Sequence, residues 1–321
     1  MTLMLEIRER FKDFYNNNNT YMVLFLKFML ALFFFLNINK MLGFMEPLNS
    51  IFVVLVLALV CSLLSSFATM GIGFLLIVGH CYAVGIEVAA FALILLLVLL
   101  IFYLRLIEED SIGVILTPLA FTLHIPFAVP MGLGLLRGPS SAFAAVCGTI
   151  VYYFMKLVSE QASTIQEMET SEIAQKAQIL LDGIIQNKDM WVTIVSALAV
   201  AIIVYSLRRM AAKFAWEIAI ITGGICYFII MISAGPLMDA KVSVFGVLTQ
   251  IIVVCIIAFW VKFLVFNVDY TRIESLQYED DDYHYYVKAI PKKNAERQRR
   301  LAKSKDQTKE AIREEYEEQD G

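Results

Sequence analysis

A series of apolar runs, each close to 20 residues long, constrains this chain more than any other feature. They lie at 20–41, 48–66, 87–107, 139–158, 190–207, 213–233 and 242–266. A bilayer core about 30 Å thick needs roughly 20 apolar residues in helix, because an unpaired backbone N–H or C=O is expensive in hydrocarbon. The spacing therefore predicts an all-α polytopic membrane protein. The first run is expected to be a span rather than a cleavable signal. Nineteen residues of both charge signs precede it, and no A-x-A site follows Leu36.

The distribution of charge sharpens this reading. Residues 267–321 hold 11 of the 26 Lys/Arg and 14 of the 30 Asp/Glu, so the body is more apolar than the 59% average suggests. Three regions follow: an amphipathic N-terminal helix over 1–19, a transmembrane domain over 20–266, and a polar tail over 267–321.

Two further apolar stretches are irregular. Residues 71–86 carry Gly71, Gly73, Gly79 and Gly85, and 16 residues at 1.5 Å each fall short of the core. Residues 111–136 are long enough but contain Pro118, Pro126 and Pro130, each lacking a donor and disturbing the turn before it. Arg8, Arg10 and Lys12, then Arg208, Arg209 and Lys213, then the basic tail, all belong on the cytoplasmic side by the positive-inside rule. Both termini inside demand an even count, so about eight helices cross and one segment is re-entrant or broken. The Leu123-His124-Ile125-Pro126 break sits near the middle of its stretch. The preferred reading therefore has 71–86 crossing and 111–136 dipping in from the cytoplasm.

Outside the hydrocarbon, the extracytoplasmic loop 159–189 reads as helix, with Ser163/Gln166 or Thr164/Glu167 as a capping box. Ile173, Ala177, Leu180, Leu181 and Ile184 form its apolar stripe, and Asp189 is placed to cap the next span. In the tail, 271–278 and 283–290 read as a short cytoplasmic β-hairpin within 271–290, and 292–318 as a charged helix. Tyr278, Tyr283, Tyr285 and Tyr286 on the hairpin are the candidate partner-binding residues, because an isolated two-stranded hairpin needs something to pair with.

Enzymatic signatures are lacking: there is no H-E-x-x-H, G-x-S-x-G or Walker A loop. The five cysteines all fall in apolar runs and form no C-x-x-C pair, so they read as packing residues. No catalytic residue, metal site or cofactor is expected. What remains is polarity within the membrane, where ionisable groups are functional suspects. Lys27 and Lys262 can snorkel, and Glu217 can pair with Lys213 four residues earlier. His80, Glu87, His124 and Arg137 sit in or beside the broken stretches and are the candidate substrate-binding set, since discontinuous helices expose backbone groups to a cavity.

Two classes follow. The first is a non-enzymatic scaffold or accessory subunit of a membrane complex, binding other membrane or cytoplasmic proteins through its outer loop and tail. The second is a small-molecule or anion permease with its site at 71–86 and 111–136. Either resides in the lipid bilayer of the plasma membrane with both termini cytoplasmic, and neither binds nucleic acid. The asparagine run 16–19 fits an AT-rich, bacterial genome.

Overall fold

The computed structural model describes residues 18–106, 111–168, 173–210, 214–238, 243–265, 274–279 and 284–289. The amphipathic N-terminal stretch, the Glu108-Glu109-Asp110 cluster, Lys213, Tyr283 and the charged end beyond Pro291 lie outside these residues. The chain divides into two compact units, Met1–Lys262 and Phe263–Gly321.

Eleven helices occur among the described residues: α1 (Asn19–Met41), α2 (Ile51–Leu63), α3 (Ser66–Val84), α4 (Ile86–Leu106), α5 (Ser111–Thr122), α6 (Ala128–Leu136), α7 (Ser141–Glu167), α8 (Ile173–Ile185), α9 (Lys188–Arg208), α10 (Ala215–Met238) and α11 (Val244–Val265). Seven, namely α1, α3, α4, α7, α9, α10 and α11, are long and apolar enough to cross a membrane. Their outward faces carry bare hydrocarbon: Ile94 and Ile101 on α4 are 64% and 63% exposed, and Trp260 on α11 is 57% exposed. Water would penalise so continuous an apolar surface, whereas lipid accepts it. The body is a helical membrane domain.

Two lengths differ from expectation. The glycine-rich stretch is not short: Ser65 Oγ accepts from the Ala68 N–H at 3.2 Å and starts a 19-residue helix five positions earlier. The polar residues Ser65, Ser66 and Thr69 hid that start. Conversely, α2 has only 13 residues, because Pro47, Asn49 and Ser50 precede it and Leu64 leaves the helical region at ψ 176°. Residues 111–136 form two separate helices with a break at 123–127.

Side-chain pairs fix the helix directions. At one end of the bundle, taken as upper, the end of α1 meets the start of α2, and Asn39 donates to the Leu48 carbonyl at 2.7 Å. At the lower end Lys27 Nζ donates to the Leu64 carbonyl at 3.1 Å, and Phe67 stacks on Tyr103 at 5.5 Å. So α1 and α3 run upward, α2 and α4 downward. Lys27 thus bonds the carbonyl just beyond α2 instead of simply snorkelling.

Helices α5 and α6 fold back on each other, with Leu133 packed against Gly113. Helix α7 rises beside α5: Ala144 meets Gly113, Gly148 meets Thr117, and Tyr152 stacks on Phe121 at 4.2 Å. The stripe of small residues therefore serves close packing. Helix α9 descends past Tyr153 and Gly134. Helix α10 rises, with Gly223 against Val204. Helix α11 descends, its Gln250 accepting from Tyr227 Oη at 2.9 Å. One core cluster gathers α1–α5 and α7 with Val129 and Leu133 of α6, Leu180 of α8 and Ala197 of α9; a second gathers α6, α9, α10 and α11 around Phe127 and Met131.

The outer loop departs from expectation in detail. Helix α7 continues unbroken to Glu167, so Ser163 and Thr164 lie inside its last turns and form no capping box; no glycine or proline follows Gly148 within 149–167 to end it sooner. Asn187, not Asp189, caps α9, its Oδ1 accepting from the Met190 N–H at 2.9 Å. The buried side of α8 is Lys176 and Leu180, while Ile173 and Leu181 of the expected stripe are exposed.

In the second unit, β1 (Glu274–Glu279) pairs antiparallel with β2 (His284–Ala289). The register sets Tyr278 opposite Tyr285 and Gln277 opposite Tyr286.

Candidate functional site

The broken segment is the most unusual local structure in the bundle. Pro118 has no N–H to give the Val114 carbonyl, and Gly148 brings its backbone up to that oxygen: a Cβ there would lie 2.9 Å from it. Side chains bond other carbonyls of this segment: Thr117 Oγ1 donates to Gly113 O at 2.7 Å, and Thr122 Oγ1 shares its single proton between Pro118 O at 3.1 Å and Asn37 Oδ1 at 2.6 Å.

His124 then ends α5. Its φ of 58° is the one positive value outside glycine among the described residues. The His124 N–H donates to Phe121 O at 2.9 Å, and the Ile125 N–H to Ala120 O at 2.8 Å. Those two bonds make a Schellman motif, in which a left-handed residue closes the last turn. Pro126 follows, where the chain can no longer continue as helix. His124 is exposed, and its role here is conformational.

Phe127 anchors the return. It is fully buried and stacks on Tyr227 of α10 at 4.4 Å. Helix α6 ends at Leu136, and Arg208 of α9 serves its C-terminus. The guanidinium donates to the Leu135 carbonyl through Nη1 and to the Arg137 carbonyl through Nη2 at 2.6 Å. A cation at a helix C-terminus satisfies orphan carbonyls and opposes the negative end of the dipole.

A groove of about 750 Å³ lies between this hairpin, α1 and Ile257 of α11. Its walls are almost wholly apolar. Its polar members are Asn37 and Lys40 from α1, Thr122 from α5, and Arg137 beyond α6. Asn37 is 5% exposed. Its Oδ1 accepts from Thr122 Oγ1 at 2.6 Å, yet its Nδ2 has no partner among the described residues. A second space, of about 10 Å³, lies under the break beside Thr149, Thr193 and Ser196. That is about one water and no substrate.

The four candidate substrate residues do not converge. His80 is fully buried: its Nδ1 accepts from the Met45 N–H at 3.2 Å, and its Nε2 lies 2.9 Å from Asn39 Oδ1. An accepting Nδ1 requires the neutral ring with the proton on Nε2, donating to Asn39. His80 therefore ties the 42–50 loop to the upper ends of α1 and α3. Glu87, in the first turn of α4, faces Lys176 of α8 at 3.8 Å, with side chains 10% and 6% exposed. This pair fastens α8 to the bundle. Arg137 alone borders the large groove. Tyr278, Tyr285 and Tyr286 lie on the two strands of the second unit; Tyr283 lies outside the described residues.

Sequence reasoning passed over Asn37, Lys40, Lys176 and Arg208 as functional or structural partners. Lys176 had a readable signal, since it stands four residues before Leu180 on the apolar stripe of α8. Glu217 pairs with Lys262 of α11, across 45 positions, a partner that local spacing does not suggest. Among the described residues no three His, Cys, Asp or Glu side chains gather to hold a metal, and the five cysteines are free thiols, three of them buried. Comparison with models of protein families, with characterised proteins and with solved structures finds no match to this chain.

Proposed function

We propose that this protein is a non-enzymatic integral membrane scaffold or accessory subunit, engaging other proteins through its outer helix and its cytoplasmic tail. The observation that carries the reading is the surface of α8. Lys176 and Leu180 hold the helix to the bundle, while Ile173, Leu181 and Ile185 are 57%, 46% and 56% exposed. Exposed apolar side chains on an amphipathic helix suit a partner's groove. The facing tyrosines Tyr278 and Tyr285, with Tyr283 and Tyr286, offer a second contact in the tail.

The orientation that fits this role has eight crossings: the seven long apolar helices and α2, whose 13 residues reach about 20 Å and complete the passage with the non-helical residues on either side, plus the re-entrant α5–α6 hairpin. Arg105, Arg137, Arg208 and Arg209 then share the lower end, which positive-inside ordering assigns to the cytoplasm. Glu46, Glu87 and Lys176 share the upper, outer end of a bacterial plasma membrane.

The permease alternative, with its site at 71–86 and 111–136, finds less support, because its polar residues are dispersed and the large groove is apolar. Affinity purification of the full chain from membranes in mild detergent tests the choice. The scaffold reading expects a defined partner, lost from a chain lacking 267–321 or from Leu181→Asp/Ile185→Asp. An intact chain that repeatedly returns alone sinks it.

A further inference from the structure

The groove beside the α5–α6 hairpin has three properties that ordinary lipid-facing surface lacks. It is a concave space of about 750 Å³ rather than a flat helical face. A buried amide nitrogen without a partner stands in its wall, at Asn37. One helical turn further along α1, Lys40 borders the same space, so a cation and an amide donor lie on one face at i and i+3. In hydrocarbon there is no bulk water to take up the Asn37 donor, and an unmet buried donor is costly. The remaining wall, including Phe33, Leu116, Leu119, Leu133 and Leu136, offers only hydrocarbon contact.

We infer that this groove is a binding site for one anionic glycerophospholipid, seated with its headgroup at Lys40 and its acyl chains along the hairpin. Phosphate oxygens meet the Lys40 ammonium, and an ester carbonyl accepts from Asn37 Nδ2. The chains descend between α1 and the α5–α6 hairpin toward the lower end. Charge complementarity selects an anionic over a zwitterionic headgroup, and the orphan amide selects an acceptor-bearing lipid over a plain hydrocarbon or an apolar partner helix. The site is independent of the scaffold reading: it requires no protein partner, and its test contains none.

Gly132 makes the test clean. It borders the groove, and a Cβ built on it meets nothing within 4 Å. Gly132→Leu therefore leads a side chain into the groove from a Cβ that meets no neighbour, and it replaces a helix-weakening residue by a helix-favouring one. The full-length protein is purified in mild detergent, delipidated, and titrated with phosphatidylglycerol or phosphatidylcholine. Bound lipid is counted by native mass spectrometry and thermal unfolding is followed in parallel. Wild type is expected to retain one phosphatidylglycerol and to unfold at higher temperature as it is added. Lys40→Gln should bind it about tenfold more weakly, as loss of a charge-assisted contact implies. Gly132→Leu should bind none while unfolding, lipid-free, no lower than wild type.

Four results would overturn the inference. Wild type could retain neither lipid, or both lipids equally. Gly132→Leu could keep the lipid. Arg137→Gln could weaken binding while Lys40→Gln leaves it intact, which would put the headgroup at the opposite end.

Discussion

His124 holds φ at 58°, a conformation that costs an L-residue with a Cβ about 1–2 kcal/mol and costs glycine almost nothing. The Schellman bonds need that conformation and not the imidazole. His124→Gly is therefore expected to raise stability by about 1 kcal/mol, and His124→Val to lower it by at least as much, as read by unfolding in mixed micelles. His80 behaves oppositely, because both of its ring nitrogens are engaged and the residue is fully buried. His80→Leu leaves the Met45 N–H and Asn39 Oδ1 unpaired and should cost about 2–4 kcal/mol, with the 42–50 loop becoming protease-sensitive. Residue type alone singled out both histidines in the sequence. What it could not convey is that one is selected for backbone geometry and the other for its lone pair, since each role is set by partners that only the fold supplies. Asn37 escaped notice for the same reason. An asparagine in an apolar run is legible as unusual, but its unmet donor becomes visible only beside Thr122, 85 positions away.

Helix ends and helix faces carry the next set of expectations. Arg208 is the C-terminal cap of α6, so Arg208→Gln should destabilise by about 2–3 kcal/mol, leaving the Leu135 and Arg137 carbonyls without their charged donor. The Lys176–Glu87 pair is nine-tenths buried on both sides, which makes its halves interdependent. Lys176→Met alone strands a buried carboxylate and should cost about 3 kcal/mol, whereas Lys176→Met with Glu87→Leu should recover most of it. Equilibrium unfolding of the two singles and the double measures that coupling; simple additivity would mean that the pair does not hold α8. Gly148→Leu is expected to prevent α7 from seating on α5, because even a Cβ would come within 2.5 Å of Thr117. The helical periodicity of α8 was readable in the sequence, but its rotation was not. Lys176 is the buried residue on the seam because a carboxylate on another helix, Glu87, pairs with it there. The capping box misled because Ser-x-x-Gln and Thr-x-x-Glu also occur inside helices, and only a breaker nearby distinguishes the two cases.

Across the whole molecule, the apolar runs located the helical spans, though the helix expected over 139–158 runs on to Glu167, because hydropathy reports a one-dimensional requirement that lipid imposes on each segment separately. Boundaries failed where polar residues belong to the helix, as at Ser66–Thr69, or where apolar residues continue past its end, as at Leu64. The division of 111–136 into two helices was legible from three prolines and a histidine. The groove beside it was not, since its walls come from α1, α5, α6 and α11, which no local pattern joins. The central claim is that this segment enters and leaves by the same face while α1–α4 cross in alternation. Site-directed labelling decides it. In a functional chain freed of its five cysteines, single cysteines replace Glu46, Glu109, Gly138 and Asp182. A membrane-impermeant maleimide is then applied to sealed spheroplasts and to inverted vesicles. The account predicts that positions 109 and 138 react only in inverted vesicles and 46 and 182 only in spheroplasts. Reaction of 109 and 138 from opposite faces would contradict it, and would make 111–136 a crossing.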